Sequence, residues 1–498
     1  MTTPPSEGSA TLQHQVSGAS SAEIDPSIPI RGPEHISYEE GPWANKTILS
    51  FDGGGVRGYA SLLVLKRIMI RIRELEHDHE EYRAPSSDFY RWNGAPEENI
   101  VEDNSKPDRV DKYLPCHYFD YVAGTSTGGL SSIMLGRLRM SVDQALDTYK
   151  SFGNAVFGKP RVFHERSYRY YPRAKFSSRK THEEFQKIIY EALQREKFCF
   201  YSEAEVEPLK YREDRTKTIA ISWSIKKDGG VSKEFVWRSY DNEPSPKEPS
   251  PKDHGPKKSG PIRWNPYNAG PAHTTAIWEV ARATTAAPGY FESIKLLGRK
   301  FLDGGMAANN PSLMALTEIH NLHGLVPDLF VSIGTGLKPS SDENNDVPNI
   351  VNGDAGRPRR DMVRDGGRRK QFVKKWWEIV KYWKDWMVDC EGGPMGTNAW
   401  RDRCNAIELT DSYRLNVKGE LHKISLDDWR PSNTGKDTLR FIEKQTKQYL
   451  SDPSVDADIT SIARKAVEIR RRRAATEQWE RFAVDGAVTR TSAKRSRT

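Results

Sequence analysis

Ser126 stands in Gly-Thr-Ser-Thr-Gly, residues 124–128. A serine with glycine two residues away on each side can occupy a tight strand-to-helix turn that projects its hydroxyl, the position of a nucleophile. Gly124 and Gly128 are the small residues that let strand and helix pack around it, and the following helix N-terminus favours negative charge beside it. A second constellation is Asp-Gly-Gly-Gly-Val-Arg-Gly, residues 52–58. Gly53, Gly55 and Gly58 have G-x-G-x-x-G spacing, so their bared N–H groups can hold an anion, either a dinucleotide pyrophosphate or the oxyanion of a reaction intermediate. The third is Asp303, which follows Lys-Phe-Leu and precedes Gly304-Gly305. Buried beside Phe301 and Leu302, its carboxylate would have a raised pKa and serve as a base for the serine proton. Its structural alternative is a turn cap, a common use of Asp before Gly.

The dinucleotide reading requires a second strand ending in an acidic residue about 20 positions past the glycines. Residues 75–85 read LEHDHEEYRAP, acidic but without strand character. Asp52 would sit awkwardly beside a pyrophosphate, and no G-K-[ST] is present for a P-loop. The oxyanion reading is therefore preferred. A serine nucleophile is more often served by a histidine than by a lone carboxylate. Five histidines lie well downstream, His254, His273, His320, His323 and His422, and none occupies a glycine turn after a strand.

Each of these groups needs an element to hold it. TILSF before the first glycine loop, HYFDYVA before Ser126, KFLD and DLFVSI read as short apolar strands, and helical patterns follow the first three. Strands alternating with helices predict an α/β fold with a mostly parallel sheet flanked by helices. Ligands in such sheets bind at the carboxyl ends of the strands, so the three strand–turn–helix units, with turns at Gly53–Gly58, Gly124–Gly129 and Gly304–Gly305, are expected to converge on one site. THEEFQKIIYEALQ is expected as a helix with Thr181 and Glu184 as a capping box. KTIAISWSIKKDGGVSKEFVWRSY is expected as a hairpin turning at Asp228-Gly229.

The 498 residues carry a net charge of +8, a hydrophobic content of 36% and a mean hydropathy of −0.74. That composition describes a core diluted by polar segments. The expected organisation is a leader over 1–45, a catalytic domain over 46–450 with polar insertions at 76–112, 241–266 and 337–371, and a basic helix and tail over 451–498. No apolar run is long enough to span a membrane, and the first residues lack the form of a secretory signal. Four separated cysteines fit a reducing compartment, and a cytoplasmic protein is expected. No zinc spacing or calcium loop is present, so no metal or cofactor is called for. VKKWWEIVKYWKDWMV, preceded by arginines, puts Val373, Trp376, Val380, Trp383 and Met387 on one helical face. It reads either as a core helix or as an interfacial one making peripheral contact with an anionic membrane. The arginines of EIRRRRAATEQWERF are read as a solvated basic helix, and no nucleic acid partner is expected.

DGGGVRG, GTSTG and DGG in this order resemble the signatures of the patatin-like phospholipases, as do ARATTAAPGYF, NNP and YRLNV, particularly those of fungal and plant-like members. The likeness covers about residues 47–336, and more weakly to about 450. It implies a serine acyl hydrolase acting on fatty-acyl esters of phospholipids or related glycerolipids, without metal or catalytic histidine. By position, it implies Ser126 as nucleophile, Asp303 as general base, and an oxyanion hole built from Gly53, Gly54 and Gly55 with Arg57 and Gly58 shaping the loop.

Overall fold

The computed structural model describes residues 41–77, 109–161, 174–196, 199–226, 232–242, 267–337 and 395–483. The leader to residue 40, most of each polar insertion, the hairpin turn, the tryptophan-rich stretch 373–387 and the residues after 483 lie outside them. Among the described residues, eight strands form one sheet: β1 (Thr47–Phe51), β2 (Tyr121–Thr125), β3 (Lys217–Lys226), β4 (Lys233–Arg238), β5 (Ile294–Leu296), β6 (Arg299–Asp303), β7 (Leu329–Ile333) and β8 (Ser412–Leu415). Strands β3, β2, β1, β7 and β8 are neighbours in that order and run parallel.

Strands buried on both faces should be apolar throughout, and β1, β2 and β7 are buried at every residue. Alternation then assigns side chains to opposite faces. Leu49, Phe51 and Val122 join a core built with helices α1 (Gly58–His77) and α3 (Val142–Phe152), while Ile48, Tyr121 and Ala123 join one built with α7 (Ser312–His323) and Trp400. The fold is thus the expected sheet covered on two faces. Helix α3 begins with a capping box between Ser141 and Gln144. The helix α4 (Ser178–Glu196) starts three residues before the expected cap, and the Thr181 hydroxyl donates to the Ser177 carbonyl at 2.9 Å. Thr181 therefore lies inside the first turn, where the same T-x-x-E spacing also fits.

One strand runs against expectation. β6 is antiparallel to β3, as are β4 and β5 to their partners. Strand β4 pairs with Ile219–Ser224 of β3 and so occupies one edge along the stretch where both β2 and β6 also pair. Consequently β2 and β6 share the other edge, lying end to end and pointing at each other. β2 finishes with Thr125 opposite Ile221, and β6 finishes with Asp303 opposite the next residue, Ser222. The third turn thus reaches the common site from the opposite direction.

The C-terminal helices are part of this body. Helix Pro453–Ala474 buries Ile459, Ile462, Ala463 and Ala466 in the core shared with α1. Its arginines correct the solvated reading. Arg470 and Arg473 are buried, Arg470 pairing with Glu76 and Arg473 with Asp120 at 2.8 Å. Residues three apart share a helix face, and here that face turns inward. Among the described residues, no helix is long and apolar enough to cross a membrane.

Candidate active site

Strand β2 leads into helix α2 (Thr127–Ser132) through Ser126, whose backbone is at φ 55°, ψ −124°. A non-glycine residue there is strained, and such strain persists only where the surroundings hold it. The holding contacts are specific. The Ser126 N–H donates to Thr284 Oγ1 at 3.0 Å, and that hydroxyl donates to the Ile221 carbonyl at 2.6 Å. A side chain on Gly128 would lie 2.3 Å from the Phe51 carbonyl oxygen, and one on Gly124 would lie 2.0 Å from that of Gly128. Both flanking glycines are therefore required by close backbone approach.

Ser126 Oγ donates to Asp303 Oδ2 at 2.7 Å, across 177 residues of sequence. Asp303 is 0% exposed, and its other oxygen accepts the Gly305 N–H at 2.7 Å. Burial pushes its pKa from 3.8 up to about 7, against the opposing pull of the Gly305 and Ser126 hydrogen bonds. A carboxylate at that value is a competent base near neutrality.

The histidines are elsewhere. His254 lies outside the described residues. His273 accepts the Arg238 N–H at 3.1 Å, His323 bonds the Tyr121 hydroxyl at 2.7 Å, and His422 lies against the Gly419 carbonyl at 3.0 Å. His320 is buried on α7, where desolvation and Arg403 hold its pKa below the usual range. Among the described residues, no histidine hydrogen-bonds to Ser126 or Asp303.

The glycine loop leaves β1 beside this pair. The Gly53 N–H, expected as an anion donor, is committed to the Asn309 carbonyl at 3.0 Å. The Gly58 N–H is likewise taken, by the Gly55 and Val56 carbonyls. Among the described residues, the N–H groups of Gly54 and Gly55 meet no acceptor. Gly55 sits at φ +56°, and a side chain there would lie 2.0 Å from the Leu426 carbonyl oxygen. Arg57 is buried, with Nε 3.4 Å from the Gly54 carbonyl. Asp52, at the start of the loop, is held in a buried ion pair with Arg414, at 2.6 Å.

Gly55, Ser126 and Thr127 open on a cleft of about 430 Å³ whose other walls include Leu130, Phe152, Phe157, Tyr290, Phe291 and Leu426. A second hollow, lined by Ile133, Met134, Ile189 and Ile277 among others, lies on the far side of Leu130 and Phe152 and shares both. The space beside the serine is mainly apolar, which suits an alkyl chain. Thr284, Arg414 and Tyr149, whose hydroxyl donates to the Gly55 carbonyl, escaped sequence reasoning as contacts of the site. Two of the three lie in strings noted there, ARATTAAPGYF and YRLNV, but a string carries no partner.

The family model for patatin-like phospholipase matches residues 49–316, a stretch that contains Ser126, Asp303 and the glycine loop. Calcium-independent phospholipase A2-gamma of Homo sapiens is 27% identical over 301 residues, 60% of this chain and 29% of that protein. Phospholipase A I of Arabidopsis thaliana is 24% identical over 332 residues, 61% of this chain and 22% of that protein. Patatin-like protein 2 of Arabidopsis thaliana is 24% identical over 328 residues, 60% of this chain and 62% of that protein.

Proposed function

Since the chain belongs to the patatin-like phospholipase family, we propose that it hydrolyses fatty-acyl esters of phospholipids or related glycerolipids through a Ser126–Asp303 dyad. The observation that carries this reading is the 2.7 Å hydrogen bond from Ser126 to a buried carboxylate whose pKa lies near 7. In the first step Asp303 takes the hydroxyl proton as Ser126 Oγ attacks the ester carbonyl. The tetrahedral oxyanion accepts from the Gly54 and Gly55 N–H groups, an interaction of about 3–4 kcal/mol per donor. Collapse expels the alcohol, which regains the proton from Asp303. Water, deprotonated by the same carboxylate, then attacks the acyl-enzyme and releases the fatty acid. The acyl chain lies against Leu130 and Phe152, on the largely apolar side of the cleft.

The test is to incubate the purified full chain with a mixed lipid panel and follow free fatty acid. Wild type should release it, and Ser126→Ala and Asp303→Asn should each lose at least roughly 10⁴-fold in turnover, because nucleophile and base act as a unit. Ala variants at His254, His273, His320, His323 and His422 should retain activity when circular dichroism shows them folded. One folded histidine variant as inactive as Ser126→Ala would overturn the dyad.

A further inference from the structure

A trans peptide unit is planar, so the carbonyl of one residue and the N–H of the next point in opposite directions. Fixing a carbonyl therefore aims the N–H on the same plane. The glycine loop can be followed plane by plane. The Gly53 carbonyl accepts from Thr335 Oγ1 at 2.8 Å. The Gly54 carbonyl accepts from the Arg57 N–H at 3.1 Å and is approached by Arg57 Nε. The Gly55 carbonyl accepts from the Tyr149 hydroxyl. The N–H groups on these three planes belong to Gly54, Gly55 and Val56, and that of Val56 is closed off by the Leu426 carbonyl at 2.8 Å. With the Gly53 N–H also taken, the loop reads closed, open, open, closed, and each open donor sits on a plane held at its far end.

The hold on the Gly54 donor comes from a distant segment. Thr335 is fully buried in the turn Ile333-Gly334-Thr335-Gly336 that follows β7. That turn is itself fixed, with the Gly334 N–H on the Leu415 carbonyl and the Gly336 N–H on Asn416 Oδ1, both at 2.8 Å. A side chain on Gly54 would lie 2.4 Å from Thr335 Oγ1. The middle glycine is thus bare where the threonine presses against it. Thr335 lies beyond the stretch matched by the family model.

We propose that Thr335 is a positioning residue of the hydrolysis, its hydroxyl holding the Gly53 carbonyl so that the Gly54 N–H faces the forming oxyanion. This rests on the acyl-hydrolase reading above. Thr335 touches neither substrate nor Ser126 and acts through the peptide plane. Removing its hydroxyl frees that plane to rotate and weakens binding of the transition state more than binding of the ester.

The experiment compares wild type with Thr335→Val, Thr335→Ser and Thr335→Ala on a soluble p-nitrophenyl ester, with intact sites counted by a fluorophosphonate. Thr335→Val should lower kcat per intact site by roughly 10- to 100-fold, less than or equal to the loss of a whole donor. KM should stay within about twofold, the pattern of an interaction made in the transition state. Inhibition by a trifluoromethyl ketone, which forms a tetrahedral adduct with the serine, should weaken by a similar factor. Thr335→Ser should restore kcat to within about threefold of wild type. Should Thr335→Val not fold, Thr335→Ser and Thr335→Ala, which differ by the hydroxyl alone, make the same comparison. Wild-type kcat in a hydroxyl-free variant, or equal impairment of Ser and the hydroxyl-free variants, would overturn the proposal while leaving the hydrolase reading intact. A wild-type protein that cleaves no ester would overturn both.

Discussion

The residue proposed as the base also strains the fold. Asp303 is buried with no cation beside it among the described residues, and burial shifts its carboxyl toward the neutral form. Only the ionised form can take the Ser126 proton. We expect kcat/KM on a soluble ester to fall about tenfold per pH unit below a midpoint near 7, and to level above it. A flat profile between pH 5 and 8 would contradict the assignment. The same preference affects stability. The unfolded carboxyl ionises near 3.8 and the folded one near 7, so ionisation favours the unfolded chain progressively between those values. The difference corresponds to about 4 kcal/mol once pH exceeds 7. Asp303→Asn should accordingly raise Tm, little near pH 4, more at pH 6, and fully from pH 8 upward. Thermal melts across that range, read alongside the activity lost, check it.

At the scale of elements, what was local in sequence was legible. The glycine turns, their flanking strands and the glycine loop after β1 follow from residue types at short spacing, because close backbone approach excludes side chains wherever it occurs. Gly128 is one such case, with the carbonyl oxygens of Phe51 and Asp52, at and just after the end of β1, 2.3 and 2.5 Å from an added Cβ. Gly128→Ala should cost about 1–3 kcal/mol by forcing the turn from β1. It should also lower kcat by roughly 100-fold through displacement of Ser126, as denaturant titration and ester turnover would record. The direction of β6 was not legible, since the five residues RKFLD carry no sign of whether their neighbour runs with or against them. Nor were the partners legible. Thr284 fixes the Ser126 N–H from 158 residues away, and Arg414 meets Asp52 from 362 away. Such pairings exist only once the sheet has formed. The commitment of the Gly53 N–H was hidden for the same reason, its acceptor at Asn309 lying far along the chain.

Across the whole molecule, the C-terminal helices tie the sheet to the segment just before β1. Arg473 reaches the Pro42 and Asn45 carbonyls and both oxygens of Asp120, while Asp120 also accepts from Thr47 at the head of β1. Burial pushes the Asp120 carboxyl up, but Arg473 and Lys46 outweigh that and hold it below the usual range. Arg473→Met would leave a buried carboxylate facing no guanidinium and should destabilise by about 3–5 kcal/mol at neutral pH. The loss should shrink as pH falls through the carboxyl's own titration, because protonated Asp120 no longer needs a counter-charge. Denaturant midpoints at pH 7 and pH 3.5 separate these outcomes. A different consequence follows from the two strands that meet on one edge of β3. Ser126 and Asp303 take their positions from adjacent residues of a single strand, Ile221 and Ser222, through β2 and β6. When the sheet twists or breathes, both ends of the dyad ride on the same support. Their displacements are then expected to be common to the pair and to cancel in the difference, so that the Ser126–Asp303 distance, along which the proposed proton transfer would run, stays steady while the surroundings fluctuate. A dyad carried on separate supports would feel every such motion as a change in its reaction coordinate.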